Sequence, residues 1–501
     1  MRRKPRVSKF SAQMDIPKWP PGEASSQQAQ GIWTSDRLLN SLRDGRRVWH
    51  EGELVDVTEH PNMLPPLRFL AELQDLQHDE PMATAVTEQS SNGPRTSKSY
   101  SLPYTKEILE EKFTATHRWM AATNGLMPRH PDFMANVMVG LWDYRSRLAD
   151  VDVRFAENVE GYFQYCKDND LILTHAIGDP QMDRSVSVKE NPDMALRVVQ
   201  RDSDGIVVRG AKQLATMAPY AHDALIYMSP TYARRELAEH VCWFSVPMNA
   251  PGLSVYTRPS MAGRKAGSSE LADRFDEQDA MMFFDDVFIP FERVFLLDDA
   301  ETAVEGFWNL NKWSLYAGQI RFYHRLRFTL GVARLAARAI GVESFREIKS
   351  GIGEIAQYVE LVRLSLRGLL DEASRTNGGL WAPGSTLALD TFAAQISGRI
   401  TEILTKISGS GAIMVPGKVD FDQPELAALI NRYMGGAGID AEEKAVVFQA
   451  VRNLTTAEFG SRLHVYELWN RGDPVRNRMS LVDSLQGMED LEGSILKGFR
   501  W

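Results

Sequence analysis

The run AMMFFDDVFIP (Ala280–Pro290) indicates a β-strand, because aromatic and branched side chains fill it and a proline closes it. Three further runs have the same character and are separated by Gly, Pro and Asp. They are MALRVVQRD, GIVVRGAKQLA and HVCWFSVPM. Together the four runs predict a middle β domain over residues 171–299, built as a compact barrel or sandwich.

Apolar residues at helical spacing flank this β region on both sides. Residues 35–170 carry long, polar-faced segments and predict an N-terminal helical domain. Two stripes in residues 300–501 step by three and four and predict a C-terminal helical bundle. The stripes are Ile352, Ile355, Val359, Val362, Leu366 and Leu369, and Leu389, Phe392, Ile396, Ile400, Ile403 and Ile407. Residues 1–34 start with a basic stretch, continue rich in Pro, Gln and Ser, and are expected to form a loosely ordered tail.

The composition excludes several functional classes. The 501 residues are 44% hydrophobic and 25% charged, so they can bury a large core, and the formal charge of −9 argues against nucleic acid as a partner. No apolar run reaches the roughly 18 residues of a membrane span. Cys166 and Cys242 are the only cysteines, too few for a disulfide framework, and they favour a reducing cytoplasm. The ten histidines show no metal-ligand spacing, so no metal is predicted.

The stretch LTHAIGDPQMDRS (Leu173–Ser185) concentrates polar groups at the end of an apolar run. His175, Asp179, Gln181 and Arg184 could hydrogen-bond a substrate or a cofactor. No strand–GxGxxG–helix fingerprint for a nicotinamide nucleotide occurs, and MGGAGID (Met434–Asp440) lacks both the spacing and a preceding strand. A redox role would therefore need hydride from a separate protein.

Six colinear motifs resemble the large-component family of 4-hydroxyphenylacetate 3-monooxygenase, over about residues 35–470. They are DGRRVWHEGELVDVTEHP, GLMPRHPDF, LTHAIGDPQMDR, GIVVRGAKQLAT, RFDEQDAMMFFDDVFIPFERVF and AEFGSRLHVYE. The resemblance implies an α+β multidomain chain of the acyl-CoA dehydrogenase-like fold. It also implies a two-component monooxygenase: a separate NAD(P)H flavin reductase supplies FADH2, O2 forms a flavin C4a-hydroperoxide, and an electron-rich aromatic substrate is hydroxylated.

The resemblance assigns catalytic roles to Arg129 and His175, which would contact the phenolic oxygen of the substrate. The family has a tyrosine where this chain has Phe133, so the substrate pocket differs. Hydroxyl groups for a substrate carboxylate would fall at Ser229 and Thr231. Alone, Arg129 could also be a surface charge in a loop, and His175 a strand-end histidine satisfied by backbone.

The resemblance places flavin-binding groups in three motifs. Asp179, where the family usually has asparagine, Gln181 and Arg184 lie in the first, and Thr216 in the second would lie near the reactive edge of the flavin. The third contributes Arg462, Tyr466 and Asn470, at helix-compatible steps of four. A packed strand threonine and a solvated helix face are the alternatives for Thr216 and for the last three residues.

Two alternative functions remain open: an acyl-CoA dehydrogenase or oxidase, and a non-enzymatic flavin-binding scaffold. An acyl-CoA dehydrogenase or oxidase would need a catalytic carboxylate in the bundle, such as Glu458, and a flavin-binding scaffold would fit a decayed site. The family's halophenol enzymes carry a histidine at the position of Leu297, which disfavours dehalogenation here. An aromatic intermediate of a biosynthetic pathway is the preferred substrate. The resemblance implies a homotetramer, because acyl-CoA dehydrogenase-like chains pair their C-terminal bundles, and the long stripes can serve both a core and a partner.

Overall fold

The computed structural model describes residues 30–89, 93–183, 185–228, 238–263, 270–485 and 487–498, and within them the longest helices precede and follow a central run of strands. The helices within these residues are α1 (Ser35–Ser41), α2 (Leu64–Asp75), α3 (Met82–Val86), α4 (Lys106–Ala122), α5 (Pro131–Ala149), α6 (Val153–Asn169), α7 (Glu270–Phe275), α8 (Ala300–Ala339), α9 (Arg346–Asp371), α10 (Leu387–Ser408), α11 (Lys418–Phe421), α12 (Pro424–Tyr433), α13 (Ala441–Thr455), α14 (Glu458–Trp469), α15 (Pro474–Ser484) and α16 (Met488–Gly498).

The strands form two larger sheets and two small hairpins. The strands of the described residues are β1 (Val48–His50), β2 (Glu53–Val55), β3 (Thr87–Gln89), β4 (Arg95–Ser97), β5 (Leu173–Ala176), β6 (Arg197–Arg201), β7 (Gly205–Gln213), β8 (Asp223–Ile226), β9 (Cys242–Pro247), β10 (Leu253–Thr257), β11 (Ala280–Pro290), β12 (Val294–Leu297), β13 (Ser374–Arg375) and β14 (Trp381–Ala382). The six-stranded sheet has the order β2-β1-β10-β11-β7-β6, and the four-stranded sheet has the order β12-β9-β8-β5.

The four strand predictions are confirmed: the predicted runs form β6, β7, β9 and β11. The barrel alternative differs from the observed arrangement, since the strands of the described residues lie in two separate sheets. Phe244 of β9 packs edge-on against Phe284 of β11, with ring centroids 6.1 Å apart, so apolar side chains of the two sheets meet. The described part of the chain is therefore mixed helix and sheet, without a closed barrel.

One hairpin of the six-stranded sheet comes from outside the predicted β domain. β1 and β2 lie in the N-terminal region, and β1 pairs in parallel with β10 in the register Val48↔Val255. A three-residue strand offers too few positions for a period-two pattern to appear in the sequence. The N-terminal region therefore supplies an edge of the sheet as well as helices.

The two apolar stripes are confirmed as the buried faces of α9 and α10. In α9, Ile355, Val359, Val362 and Leu366 are buried, and these positions repeat at the helical period. In α10, the stripe positions Leu389, Ile396, Ile400, Ile403 and Ile407 are buried. Amphipathic faces of this length bury enough apolar surface to hold long helices against neighbours.

Helices α5 and α8 approach closely at a glycine. A side-chain carbon added to Gly140 of α5 would lie 2.4 Å from the backbone oxygen of Leu310 in α8. Only a residue without a side chain lets the two backbones come this near. The contact holds the middle of α5 directly against the first half of α8.

The described residues divide into two compact units. One contains residues 30–263, 270–318 and Ala373–Ala382, and the other contains Gln319–Glu372 and the described residues after 382. Residues 1–29 of the predicted tail lie outside the described residues. Its last part is packed, because Trp33 is buried and its indole nitrogen donates to the Asp170 carbonyl. None of the described helices is long and apolar enough to cross a bilayer.

Candidate functional site

His175 lies on a buried strand and contacts a tyrosine that directly follows the neighbouring strand. β5 and β8 are parallel, with His175 opposite Leu225, and Tyr227 follows two residues later. Side chains two residues apart point to the same face of a sheet, so Tyr227 reaches the histidine. The Tyr227 Oη lies 2.9 Å from the His175 Nδ1. His175 is thus satisfied by a side chain, and the strand-end alternative with a backbone partner does not apply.

The start of α5 brings Arg129 and Phe133 to the same place. Pro131 opens the helix, and the His130 side chain caps it by accepting from the Asp132 backbone nitrogen. The Phe133 ring packs edge-on against His175, with centroids 5.7 Å apart. The Arg129 guanidinium carbon lies 4.0 Å from the centre of the Phe133 ring. Arg129 is half-buried beside this ring and is not a fully exposed loop charge, and its role toward a substrate stays a prediction.

Burial sets the charge states in this cluster. Desolvation, reinforced by the positive charge of Arg129, holds the pKa of His175 well below its usual range, so the imidazole is neutral near pH 7. Desolvation likewise raises the pKa of Tyr227 above its usual range, so its hydroxyl stays protonated. The cluster thus combines one fixed cation with a neutral imidazole, a set that can receive a proton and stabilise an oxyanion.

Two members of this cluster were missed by sequence reasoning. Tyr227 has no motif of its own, and only the β5–β8 register brings it to His175. Asn311 lies on α8, 84 positions further along the chain, and its Oδ1 lies 3.3 Å from the Tyr227 hydroxyl. An asparagine within the predicted bundle carries no sequence signal for such a contact.

A second polar cluster surrounds the turn after β5. Gly178 forms an isolated bridge with Gln213 at the end of β7, with the Gln213 nitrogen 2.9 Å from the Gly178 oxygen. Asp179 is buried and pairs with Lys212 at 2.8 Å. The ammonium group balances the charge of this carboxylate, whereas the side chain of Gln181 is exposed. The bridge explains why the turn after β5 and the end of β7 lie together.

Thr216 is fixed between the two sheets. Its hydroxyl donates to Asp279 at 2.7 Å, and its carbonyl accepts from the Thr174 hydroxyl at 2.7 Å. Leu214 and Met217 beside it adopt φ values of +60° and +69°, a left-handed conformation that is costly for side chains of this kind. Thr216 therefore belongs to a strained loop after β7 and not to a regular strand.

Some predicted residues lie elsewhere. Arg184, Ser229 and Thr231 fall outside the described residues, so the structure places none of them. Leu297, the position that disfavoured dehalogenation, is buried at the end of β12 opposite Cys242. Within the described residues no group of three or more His, Cys, Asp or Glu is arranged to hold a metal ion.

The remaining predicted flavin contacts lie on α14, in the second compact unit. Arg462, Tyr466 and Asn470 occupy partly exposed positions, with the Arg462 guanidinium carbon 5.3 Å from the Tyr466 ring centre. Glu467, next to Tyr466 in the same helix, is fully buried among three arginines. Glu458, the residue suspected under the acyl-CoA dehydrogenase alternative, is exposed in the first turn of the helix.

Comparison with known proteins gives matches along nearly the whole chain. The N-terminal and C-terminal profiles of the 4-hydroxyphenylacetate 3-hydroxylase family match residues 34–296 and 304–492. The 4-hydroxyphenylacetate 3-monooxygenase oxygenase component of Thermus thermophilus is 33% identical over 87% of this chain and 91% of its own length. The oxygenase component of a 4-nitrophenol 2-monooxygenase from Rhodococcus is 29% identical over 90% or more of both chains.

A solved structure extends the match to three dimensions. The crystal structure of a 4-hydroxyphenylacetate 3-monooxygenase oxygenase component, complexed with FAD and 4-hydroxyphenylacetate, superposes with a TM-score of 0.87. The two proteins are 30% identical, and the match covers 93% of this chain and all of the other. The order of helices and strands described above is therefore shared with a protein that binds FAD and a phenol.

Proposed function

The chain belongs to the 4-hydroxyphenylacetate 3-hydroxylase family, and from this premise we propose that it is the oxygenase component of a two-component, flavin-dependent aromatic monooxygenase. It receives reduced FAD from a separate NAD(P)H-dependent flavin reductase and hydroxylates a phenolic or related electron-rich aromatic ring. The observation that carries the proposal is the cluster of buried Phe133, His175 and Tyr227 with half-buried Arg129. It lies in a chain whose N-terminal and C-terminal parts both match this family.

The residues around the turn after β5 fit a flavin. An isoalloxazine ring is flat, with an apolar face and a polar edge, and the two segments joined at Gly178 and Gln213 offer both kinds of surface. Leu214 is 66% exposed beside Thr216, and Gln181 presents an exposed amide. When bound in reduced form, FAD would supply the two electrons that activate O2, and one atom of that O2 would enter the substrate. Gln181, Thr216 and the Lys212–Asp179 pair are the described residues that would hold it.

Arg129 and His175 act on the substrate. A phenol is a better nucleophile at its ring carbon when its hydroxyl is deprotonated, so the site must accept that proton and stabilise the resulting oxyanion. The neutral imidazole of His175 receives the proton, and the Arg129 guanidinium stabilises the negative oxygen. Their positions also orient the ring, which lowers the entropy cost of the reaction.

Phe133 and the hydroxyl pair set the choice of substrate. Phe133 provides an apolar edge against His175 where the family has a phenol, so a simple 4-hydroxyphenyl compound would lose one hydrogen bond. Ser229 and Thr231 are assigned to a substrate carboxylate, with Pro230 between them. Together with the buried Leu297, these features favour an aromatic intermediate of a biosynthetic pathway over a halophenol.

Several finer features belong to the same proposal. Further flavin contacts come from Arg184 and from the α14 residues Arg462, Tyr466 and Asn470. The chain has the domain order of the acyl-CoA dehydrogenase-like fold: a helical domain, a β domain and a second helical domain. Four copies of the chain associate into a homotetramer. Cys166 and Cys242 are buried and do not pair with each other, which agrees with a reducing cytoplasm.

The acyl-CoA dehydrogenase alternative is less well supported. Such an enzyme needs a carboxylate base against the bound substrate, whereas Glu458 is exposed at the start of α14. The family matches likewise point to an aromatic hydroxylase. We therefore propose the aromatic monooxygenase function alone.

The test is a substrate panel with isotope labelling. The purified chain is incubated with a flavin reductase, NADH, FAD, ¹⁸O2 and a set of phenols, aminophenols and indoles, and products are analysed by mass spectrometry. The proposal predicts one ¹⁸O atom in the product of at least one aromatic compound. Reduction of FAD by an acyl-CoA, with no labelled aromatic product, would replace the proposal by the alternative.

A further inference from the structure

Tyr227 and Asn311 form a hydrogen-bonded row behind His175. The Tyr227 Oη lies 2.9 Å from the His175 Nδ1 and 3.3 Å from the Asn311 Oδ1. All three residues are buried, and all belong to the same compact unit. None of the six sequence motifs contains Tyr227 or Asn311, so the resemblance assigns no role to either residue.

The orientation of Asn311 is set by its own helix. Its Nδ2 donates to the backbone carbonyl of Phe307, one turn earlier in α8, at 2.7 Å. A carbonyl oxygen can only accept, so the amide nitrogen must lie on that side and the amide oxygen must face Tyr227. The Ser314 hydroxyl, 3.4 Å from the same oxygen, agrees with this assignment.

The single hydroxyl proton of Tyr227 then determines the tautomer of His175. Because the Asn311 oxygen cannot donate, Tyr227 donates its proton to that oxygen. The Tyr227 oxygen is left to accept, and its partner at 2.9 Å is the His175 Nδ1, which must therefore carry a hydrogen. In a neutral imidazole the other nitrogen, Nε2, then has the lone pair.

We propose that Tyr227 and Asn311 are positioning residues that hold His175 in the Nδ1–H tautomer, so that its Nε2 accepts the proton of the substrate's phenolic hydroxyl. The inference rests on the proposed function and extends it to two residues outside the motifs. In the step itself the O–H bond of the phenol breaks and an N–H bond forms at Nε2. The products are a phenolate and an imidazolium whose Nδ1 proton stays bonded to Tyr227.

This arrangement gives the tautomer a catalytic consequence. A histidine with its proton on the wrong nitrogen presents a donor where the reaction needs an acceptor, and the group that orients the ring decides between the two. Here the orienting group is neutral, since desolvation keeps the Tyr227 hydroxyl protonated. A neutral orienting group leaves Nε2 a weak base that is free of a proton near pH 7.

The direct test reads the tautomer on the flavin-free chain. We would label histidine with ¹⁵N and ¹³C and assign the His175 signals by their loss in His175→Gln. Wild type is expected to show a hydrogen on Nδ1 and none on Nε2. Tyr227→Phe and Asn311→Leu should move hydrogen to Nε2 in part or entirely, whereas Asn311→Asp keeps an acceptor for Tyr227 and should preserve the wild-type tautomer.

Controls separate this role from packing. Tyr220→Phe removes another buried hydroxyl, bonded to the Met63 carbonyl at 3.0 Å, and should leave the His175 signals unchanged. Leucine matches asparagine in shape. If Asn311 served only packing, Asn311→Leu would change the His175 signals less than Asn311→Asp. We expect the opposite order. A hydrogen on Nε2 in the wild type, or an unchanged tautomer in both Tyr227→Phe and Asn311→Leu, would overturn the inference.

Turnover links the tautomer to the reaction. With reductase, NADH and the best aromatic substrate, Tyr227→Phe and Asn311→Leu should lower product formation about tenfold or more, within the range of acid–base contributions. Asn311→Asp should retain more product than Asn311→Leu. If no aromatic compound is oxygenated by wild type, the proposed function fails, and the tautomer measurement still shows whether Tyr227 and Asn311 orient His175.

Discussion

Replacing Arg129 with methionine should uncouple oxygen consumption from hydroxylation. The guanidinium carbon lies 4.0 Å from the Phe133 ring centre, and Phe133 in turn contacts His175. Methionine keeps much of the apolar volume of the arginine stem but removes the charge and its hydrogen-bond donors. The loop should remain in place, because it is the Arg129 backbone nitrogen that donates to the Glu277 carboxylate.

The magnitude follows from the loss of the proposed hydrogen bond between Arg129 and the phenolate oxygen. A hydrogen bond to a charged group contributes about 1.5–3 kcal/mol. At about 1.4 kcal/mol per factor of ten, kcat/KM for hydroxylation should fall by roughly 10- to 150-fold. The pKa of His175 should rise when the neighbouring cation is removed, but it should stay below its usual range, because burial is the larger cause of its depression.

The assay measures product and hydrogen peroxide together. Product formation should fall by the stated factor while O2 consumption continues and peroxide accounts for the difference. Arg154→Met is the matched control, since the Arg154 guanidinium carbon lies 4.2 Å from the Phe291 ring centre, a contact outside the His175 cluster. Equal product yields in wild type and Arg129→Met, or equal losses in both variants, would refute the role assigned to Arg129.

Three further predictions concern specificity, stability and cofactor form. Phe133→Tyr should shift substrate preference toward simple 4-hydroxyphenyl compounds, because it returns a phenolic hydroxyl to the site; ratios of kcat/KM across the panel measure this. Glu467→Gln should destabilise the chain by about 3–5 kcal/mol in urea unfolding, because it leaves Arg321, Arg325 and Arg471 buried without their shared carboxylate. The purified chain should bind FADH2 more tightly than FAD in anaerobic titrations and should not consume NADH without a reductase, since no nicotinamide fingerprint is present.

The pH dependence of the Glu467 effect has a definite sign. Burial opposes ionisation, but Arg321, Arg471 and Arg325 outweigh it and hold the pKa of the Glu467 carboxyl well below its usual range. A depressed pKa stabilises the fold above the unfolded value of about 4.3. The difference between wild type and Glu467→Gln should therefore be full at neutral pH and should shrink as the pH falls below that value.

Regular elements could be predicted from the sequence because their signal is local. The stripe from Ile352 to Leu369 repeats within one helix, and the run from Ala280 to Pro290 fills one strand, so neither needs knowledge of its neighbours. The β1–β2 hairpin and its pairing with β10 depend on a contact over two hundred positions away, which no local pattern contains.

In the candidate site, too, residues within local motifs could be predicted, whereas residues brought together by the tertiary fold could not. Arg129 and His175 were predicted from their motifs, and in the structure each contacts the Phe133 ring. Tyr227 and Asn311 were missed, because the parallel register of β5 with β8 and the course of α8 bring them to His175. The sequence motif predicted Asp179 as a flavin contact but gave no sign of its buried ion pair with Lys212, which depends on the contact between the turn after β5 and the end of β7.

The most direct test of the central claim is the coupling of wild type and His175→Ala, the fraction of consumed O2 that appears in hydroxylated product. Both proteins are supplied with reductase, NADH, FAD and the aromatic compound that wild type oxygenates best. The account predicts that His175→Ala consumes O2 but loses product by about 100-fold or more, because acid–base catalysis contributes about 10²–10⁴-fold. The missing product should appear as hydrogen peroxide. Unchanged coupling in His175→Ala would contradict the account, because the histidine would then have no part in activating the substrate.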